Sequence, residues 1–315
     1  MNKEGVVLIA APVHASLITG LQEAGYTCRV EVKITQQSAF SLVADCVGII
    51  TSTRLQLNRE LLDAAPHLQW IGRMGSGMEV IDLDYAALRG IYCFGSPEGN
   101  CNAVAEHAVG MLLSLIRRIP VSGNQMREGI WQRDENRGTE LEGKTIGIIG
   151  FGHTGRALAH KLSVWDMQIL AYDKHPVSDV PDYVTLCPDL QRIYNEADIV
   201  SFHVPHAPDT INYFNSEFIG SMRKPFLLMN TSRGMVVNTN ALYEGIRSGG
   251  VTGACLDVFE AEPVSGMTGD MKAELEHLMH LDNVVVTPHI AGYTFEALHK
   301  MSKILLHKVL GLKHG

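Results

Sequence analysis

Three apolar runs in the second half of the chain each stop at polar groups able to do chemistry. Phe226-Leu227-Leu228-Met229-Asn230 leads into Thr231-Ser232-Arg233-Gly234. Val251 to Leu256 leads into Asp257-Val258-Phe259-Glu260-Ala261-Glu262-Pro263, and Val284-Val285-Val286 into Thr287-Pro288-His289. If these runs are strands of one parallel sheet, Arg233, Asp257, Glu262 and His289 gather on its carboxyl rim, where open α/β sheets bind ligands. Such a set suits reversible hydride transfer at a carbon bearing oxygen. The hydroxyl proton must leave when the hydride does, and a histidine with a reference pKa of about 6.5 can take it at neutral pH. A neighbouring carboxylate fixes the imidazole tautomer and stabilises its charged form. An arginine fork binds a substrate carboxylate through two hydrogen bonds and polarises the carbonyl. Taken singly, Arg233 and Glu262 read as surface charges and His289 as a turn histidine; their shared position after strands favours the chemical reading.

Hydride transfer needs a carrier, and the stretch Lys144–Asp173 has the form of a dinucleotide site. The β-branched run Thr145-Ile146-Gly147-Ile148-Ile149 is followed by Gly150-Phe151-Gly152-His153-Thr154-Gly155, then by a helical pattern, a second apolar run Gln168–Tyr172, and Asp173. Gly150 permits a tight turn, Gly152 lets the backbone approach a pyrophosphate, and Gly155 lets the helix pack against the strand. The helix N-terminus offers N–H groups to the anion. Asp173 would accept hydrogen bonds from the ribose hydroxyls and repel a 2′-phosphate, so NAD is expected over NADP. Glycine turns occur in many α/β proteins; here the strand before, the helix after and the distant acid make the motif specific.

The remaining elements must hold these groups in place. A chain of 315 residues is long enough for about two domains, and 46% hydrophobic against 19% charged residues allows an ordinary core. Net charge −8 and a pI near 5.9 argue against nucleic acid or an anionic membrane as partner. No stretch approaches the roughly 18 apolar residues of a membrane span, and the N-terminus reads as a first strand from Val6, not a signal peptide. Six scattered cysteines without a C-x-x-C pair look like reduced core residues of a cytoplasmic protein. His203/His206 and His277/His280 have metal-compatible spacing but no third ligand, so no metal is expected and the rings read as solvent-exposed or locally hydrogen-bonded.

Along the chain, strands are expected at Val6–Ala10, Tyr26–Val32, Val47–Thr51 and Leu68–Gly72. Helices are expected at His14–Ala24, Ser38–Ala44 and Asn58–Ala65, which together give a parallel sheet. The glycine-rich loop Arg73-Met74-Gly75-Ser76-Gly77-Met78 could present N–H groups to a carboxylate. A domain crossing is expected at 95–99. Asn102 is read as the N-cap of a long apolar helix closed by Arg117, Arg118 and Pro120, buried between domains or subunits. A polar span follows at Arg127–Glu142. Further strands are expected at Ala197–His203, Phe226–Asn230, Val251–Phe259 and Asn283–Thr287, with helices at Asn240–Ser248, capped by Asn240, and Phe295–Leu312.

These motifs, with Gly72-Arg73-Met74-Gly75-Ser76-Gly77 and Val104-Ala105-Glu106-His107, resemble the D-isomer-specific 2-hydroxyacid dehydrogenase family over nearly the whole chain. The resemblance implies an α/β fold of two Rossmann-like lobes, each a parallel sheet flanked by helices. It implies a discontinuous substrate lobe, residues 1–97 plus 293–315, and an NAD lobe, 98–292. By the same token Arg233 binds the substrate carboxylate, Glu262 and His289 form the acid–base pair, and Asp257 contacts the nicotinamide amide. Gly75, Ser76 and Gly77 would meet the substrate carboxylate, and further cofactor contacts are expected at Val104, His203, Pro205, Thr210 and Thr231.

The family also implies a homodimer through the cofactor lobe. Glutamate at position 262 disfavours the formate dehydrogenase branch, which has glutamine there. Two departures concern the substrate: Gly95-Ser96-Pro97 lacks the asparagine that commonly precedes this proline, and Glu260–Leu281 is longer than usual. Phosphoglycerate dehydrogenases resembling this chain carry a phosphate-binding arginine where Ser52 stands, with Arg54 two residues later. The expected activity is interconversion of a small D-2-hydroxy acid, glycerate or phosphoglycerate, and its 2-oxo acid. The competing reading is an NAD-responsive, corepressor-like binding protein with little turnover.

Overall fold

The computed structural model describes residues 5–312; Met1–Glu4 and Lys313–Gly315, which the expected lobe boundaries include, lie outside the described residues. The chain divides into two compact units, Met1–Cys101 with Tyr293–Gly315, and Asn102–Gly292. The division falls inside a continuous helix, Pro97–Ile116. Pro97 rather than Asn102 begins that helix, because proline fits the first turn, where its missing N–H has no partner to lose. Asn102 sits in the helix interior and donates to Glu106 Oε1 at 3.0 Å.

In the first unit the strands β1 (Val6–Ile9), β2 (Thr27–Val30), β3 (Cys46–Thr51), β4 (Trp70–Arg73) and β5 (Tyr92–Phe94) form a parallel sheet ordered β2-β1-β3-β4-β5. Leu8, Ile49 and Ile71 pack with Leu61 and Leu62 of helix Arg59–Asp63, capped as expected by Asn58. The last helix, Phe295–Gly311, buries Leu305 and Val309 and returns the C-terminal segment to this unit. His14 N donates to Ser302 Oγ on that helix at 3.0 Å.

The second unit is a seven-stranded parallel sheet. Its members are β6 (Thr145–Ile149), β7 (Gln168–Tyr172), β8 (Val184–Leu186), β9 (Ile199–Phe202), β10 (Phe226–Asn230), β11 (Val251–Leu256) and β12 (Val284–Val286). They are ordered β12-β11-β10-β9-β6-β7-β8. Both faces are covered, which is why the strands read as continuous apolar runs. Ile146, Ile148 and Met229 pack with Leu112 and Leu158 on one side, and Ile149, Leu228 and Ala254 with Phe214, Phe218 and Leu242 on the other.

Register brings the carboxyl ends level. Ile149 pairs with Tyr172 and Phe202, Asn230 with Phe202 and Leu256, and Leu256 with Val286. Chain order reverses around β6, whose neighbours are β7 and β9; a topological switch point of this kind opens a crevice beyond the strand ends.

Several local expectations need correction. The helix Thr239–Arg247 is capped by Asn238, whose Oδ1 accepts from Ala241 N, while Asn240 reaches across to Glu274 Oε1 at 2.6 Å. The helix ending near Pro120 is followed at once by another, Ile119–Arg127, because Arg118 turns the chain at φ 52 and Pro120 fits the new first turn. The long segment after Glu260 contains a helix, Gly269–Met279, that buries Leu275 and Leu278.

Gly155 carries the tightest packing of the glycine turn: a Cβ there would stand 2.2 Å from Gly150 O, so the helix His153–Leu162 lies against β6 only without a side chain. Gly155→Ala is expected to destabilise the protein by about 1–3 kcal/mol, the usual scale of overpacking. Denaturant unfolding measures it, and an unchanged midpoint would contradict this packing.

Candidate active site

All of the polar groups that follow β10, β11 and β12 lie on one rim of the second unit. Asp257 is its anchor. Only 1% exposed, it accepts at Oδ1 from Thr287 Oγ1 (2.5 Å) and Ile290 N (2.9 Å), and at Oδ2 from Ala291 N (2.8 Å). Its carbonyl accepts from His289 N at 2.8 Å. His107 Nε2 lies 2.9 Å from Thr287 Oγ1, so the long helix braces the same cluster. These bonds hold His289 at φ 54, a left-handed conformation that a histidine adopts only when its surroundings over-determine it.

His289 thereby meets Glu262. Nδ1 lies 2.6 Å from Glu262 Oε2, while Oε1 accepts from Phe259 N at 3.0 Å. The carboxylate raises the histidine pKa above its ordinary value, chiefly through this hydrogen bond and against burial. For Glu262 burial pushes the pKa up, but the bonds from His289 and Phe259 N outweigh it and leave the carboxyl below its usual range. With side chains 49% and 33% exposed, the pair is reachable from solvent. Because Glu262 holds Nδ1, proton exchange falls to Nε2.

Arg233 is placed by its own turn. Asn230 Nδ2 donates to Arg233 O at 2.9 Å, Asn230 Oδ1 accepts from Ser232 N and Oγ, and Arg233 NH1 donates to Ser232 O at 2.7 Å. Gly234 then packs so closely on the Glu262 loop that a Cβ would come within 1.7 Å of Phe259 O. Glu260 fastens the same loop by accepting from Thr239 N at 2.7 Å. Arg233 and Glu262 are therefore positioned by one backbone contact.

The other half of the rim surrounds the glycine turn. Gly150 N donates to Tyr172 O, and Asp173 accepts from Phe151 N (2.7 Å) and His175 N (2.9 Å), which fixes its carboxylate beside the turn. Phe151 points its ring into the core, leaving only its backbone for a ligand. The helix beginning at His153 has Gly152 as N-cap with no side-chain cap, and a Cβ on Gly152 would meet nothing within 4 Å. At the neighbouring strand ends, His203 Nδ1 and Thr231 Oγ1 are buried without a partner among the described residues. Burial lowers the His203 pKa to about 4, so the ring is neutral, with Nε2 2.8 Å from Ser201 Oγ. An open space over the glycine turn, uncapped N–H groups, a fixed acid and two unpartnered polar atoms together fit a dinucleotide.

The Thr210 hydroxyl is occupied within its own turn, donating to Pro205 O or Ala207 O and accepting from Ala207 N, and Val104 is buried. Pro205 lies exposed on that turn. Asp257 likewise spends both oxygens on its own chain.

The glycine loop Gly75–Gly77 belongs to the first unit. Its shape depends on Ser96, fully buried, which accepts from Gly75 N at 3.0 Å, donates to Arg73 O at 3.1 Å and sends its own N–H to Gly75 O at 2.8 Å. In the sequence Ser96 stands out only as a departure from the family pattern; the signal of its role is a small hydroxyl directly before a helix-starting proline. Ser76 is exposed on this loop, and Arg54 is exposed in the loop after β3.

Residues 109–291 match the family described as "D-isomer specific 2-hydroxyacid dehydrogenase, NAD binding domain". A glyoxylate reductase of Thermofilum pendens is 38% identical over 266 residues, covering 82% of this chain and 76% of that protein. A D-3-phosphoglycerate dehydrogenase of Archaeoglobus fulgidus is 32% identical over 310 residues, 98% of this chain; the chain spans only 57% of that relative's length. Among solved structures, the Aquifex aeolicus D-lactate dehydrogenase complexed with NAD and lactic acid is 29% identical with a TM-score of 0.84, covering 98% of this chain and 97% of that one.

For His289 as the acid–base group expected from the sequence, its raised pKa sets a pH dependence. Oxidation of an alcohol needs neutral imidazole, so its rate rises as pH climbs through the folded pKa; reduction needs imidazolium and falls over the same range. Glu262→Gln removes the charge that raises this pKa, so both limbs are expected to move to lower pH in profiles of kcat/KM. Limbs that stay in place would show that the pair is uncoupled.

Proposed function

The chain belongs to the D-isomer specific 2-hydroxyacid dehydrogenase family, and from that premise we propose that it interconverts a small D-2-hydroxy acid and its 2-oxo acid with NAD. The observation that carries the reading is the His289–Glu262 pair, 2.6 Å apart, on the same rim as Arg233 and the glycine turn. A bound nicotinamide would supply or accept the hydride. His289 Nε2 takes the hydroxyl proton during oxidation and returns it to the carbonyl oxygen during reduction, with Glu262 stabilising the imidazolium. Arg233 binds the substrate carboxylate by a charge-assisted fork, and the Gly75–Gly77 loop completes its binding. Asp257 positions His289. Gly150–Gly155, Asp173, His203, Thr231 and the backbone of the Pro205 turn hold the dinucleotide. In this reading residues 98–292 are the cofactor lobe, and 1–97 with 293–315 the substrate lobe.

The preferred substrate of this proposal is unphosphorylated: glyoxylate or hydroxypyruvate in the reductive direction. An acidic protein opposes a phosphate dianion unless a local cation holds it, and the resemblance to phosphoglycerate dehydrogenases puts Ser52, not an arginine, at the position expected to hold it. The glyoxylate reductase relative supports the same choice. A homodimer through the cofactor lobe is supported by the partly buried Val109, Leu113 and Ile116 of the long helix and by exposed Val164 and Trp165 beside a hollow of about 340 Å³. Six free cysteines suit a cytoplasmic location.

A panel of 2-oxo acids followed by NADH absorbance tests the proposal. Glyoxylate or hydroxypyruvate is expected to be reduced at least as well as 3-phosphohydroxypyruvate, and Arg54→Ala to impair only the phosphorylated acid, by roughly tenfold to a hundredfold. A strong preference for the phosphorylated acid that survives Arg54→Ala would defeat the substrate choice. NADH binding without turnover of any acid would favour the corepressor-like reading.

A further inference from the structure

Asp173 disfavours a 2′-phosphate, yet the next residue is a cation. In a dinucleotide site a positive side chain at this place is what accommodates that phosphate, so Lys174 opposes the choice that Asp173 makes. The structure shows what becomes of it. Lys174 Nζ lies 2.6 Å from Asp209 Oδ2, an ion pair between the loop that follows β7 and the loop that follows β9. Those strands flank β6, so the two loops stand on either side of the glycine turn and the pair joins them.

The partners are held for this contact. Asp209 precedes Thr210, whose buried hydroxyl closes the 205–210 turn through Pro205 O, Ala207 O and Ala207 N. Asp173 is pinned by Phe151 N and His175 N. Lys174, mainly by its hydrogen bond, holds the Asp209 carboxyl below its usual range, with a smaller effect of His175. Arg156, the other cation beside the turn, is engaged elsewhere: it donates to the carbonyls of Ser178 and Asp179 and lies over the Phe151 ring.

We propose that Asp209 is a specificity-determining residue for the dinucleotide: by occupying Lys174 it denies a 2′-phosphate its cation. The inference rests on the reading of the glycine turn as the NAD site. The effect is moderate, because the two side chains are 43% and 57% exposed and the pair is screened by solvent and salt.

Fluorescence titration of the full chain with NADH and with NADPH tests it. Asp209→Asn is expected to lower the ratio of the NADPH Kd to the NADH Kd by about twofold to fivefold, the scale of an exposed ion pair, and the gain should shrink as salt is raised. Lys174→Met, with little effect on the ratio in the native background, should remove most of that gain when combined with Asp209→Asn. An unchanged ratio in Asp209→Asn overturns the proposal, whether or not both affinities weaken together. So does a gain that survives Lys174→Met intact. Failure of the native protein to bind either dinucleotide would instead remove the site on which the inference rests.

Discussion

The position of His289 hangs on one buried carboxylate. Asp257 directly follows β11, the second strand from one edge of the sheet, with three donors on its side chain and a fourth on its carbonyl, all from the Thr287–Ala291 segment. A carboxylate removed from water is tolerated only when its lone pairs are filled, so the segment must wrap around it. That wrapping carries His289 into the left-handed region and its ring to Glu262. Remove the carboxylate and the backbone N–H groups of Ile290 and Ala291 lose their acceptor, and with it the reason for the histidine's position.

The second constraint is topological. A parallel sheet places every strand's carboxyl end on one edge, and the level register of β12 through β7 puts Arg233, Glu262 and His289 on the same edge as the glycine turn. The division of labour follows from strand order. The strands β10, β11 and β12 lead to Arg233, Glu262 and His289, whereas β6, β7 and β9 lead to the glycine turn, Asp173 and His203. Close approaches that exclude any side chain, Gly155 on Gly150 and Gly234 on Phe259, set the spacing of both halves.

The sequence made the strands and the rim legible because both are local signals: apolar runs of five or six residues ending in polar groups need no distant information. What it hid was long-range. Asn240 looks like a cap until Glu274, on a helix thirty-four positions away, claims its amide, and the true cap is Asn238. Asn102 follows a break in pattern, but the helix had already started at Pro97. Ser96 and Asp209 act through partners that adjoin them only in the fold, on Gly75 and Lys174 respectively. His203 gave a metal-like spacing in the chain, whereas its burial and its unpartnered Nδ1 became visible only with neighbouring strands in place.

In the proposed mechanism His289 moves the proton, set in place by Asp257 and stabilised in its charged form by Glu262. Single-turnover and steady-state reduction of glyoxylate by NADH in His289→Ala, with NADH affinity measured on the same preparation, addresses this most directly. A fall in kcat of about two to four orders of magnitude is expected, as for loss of a general acid, with the NADH Kd essentially retained. Turnover close to that of the native protein would contradict it.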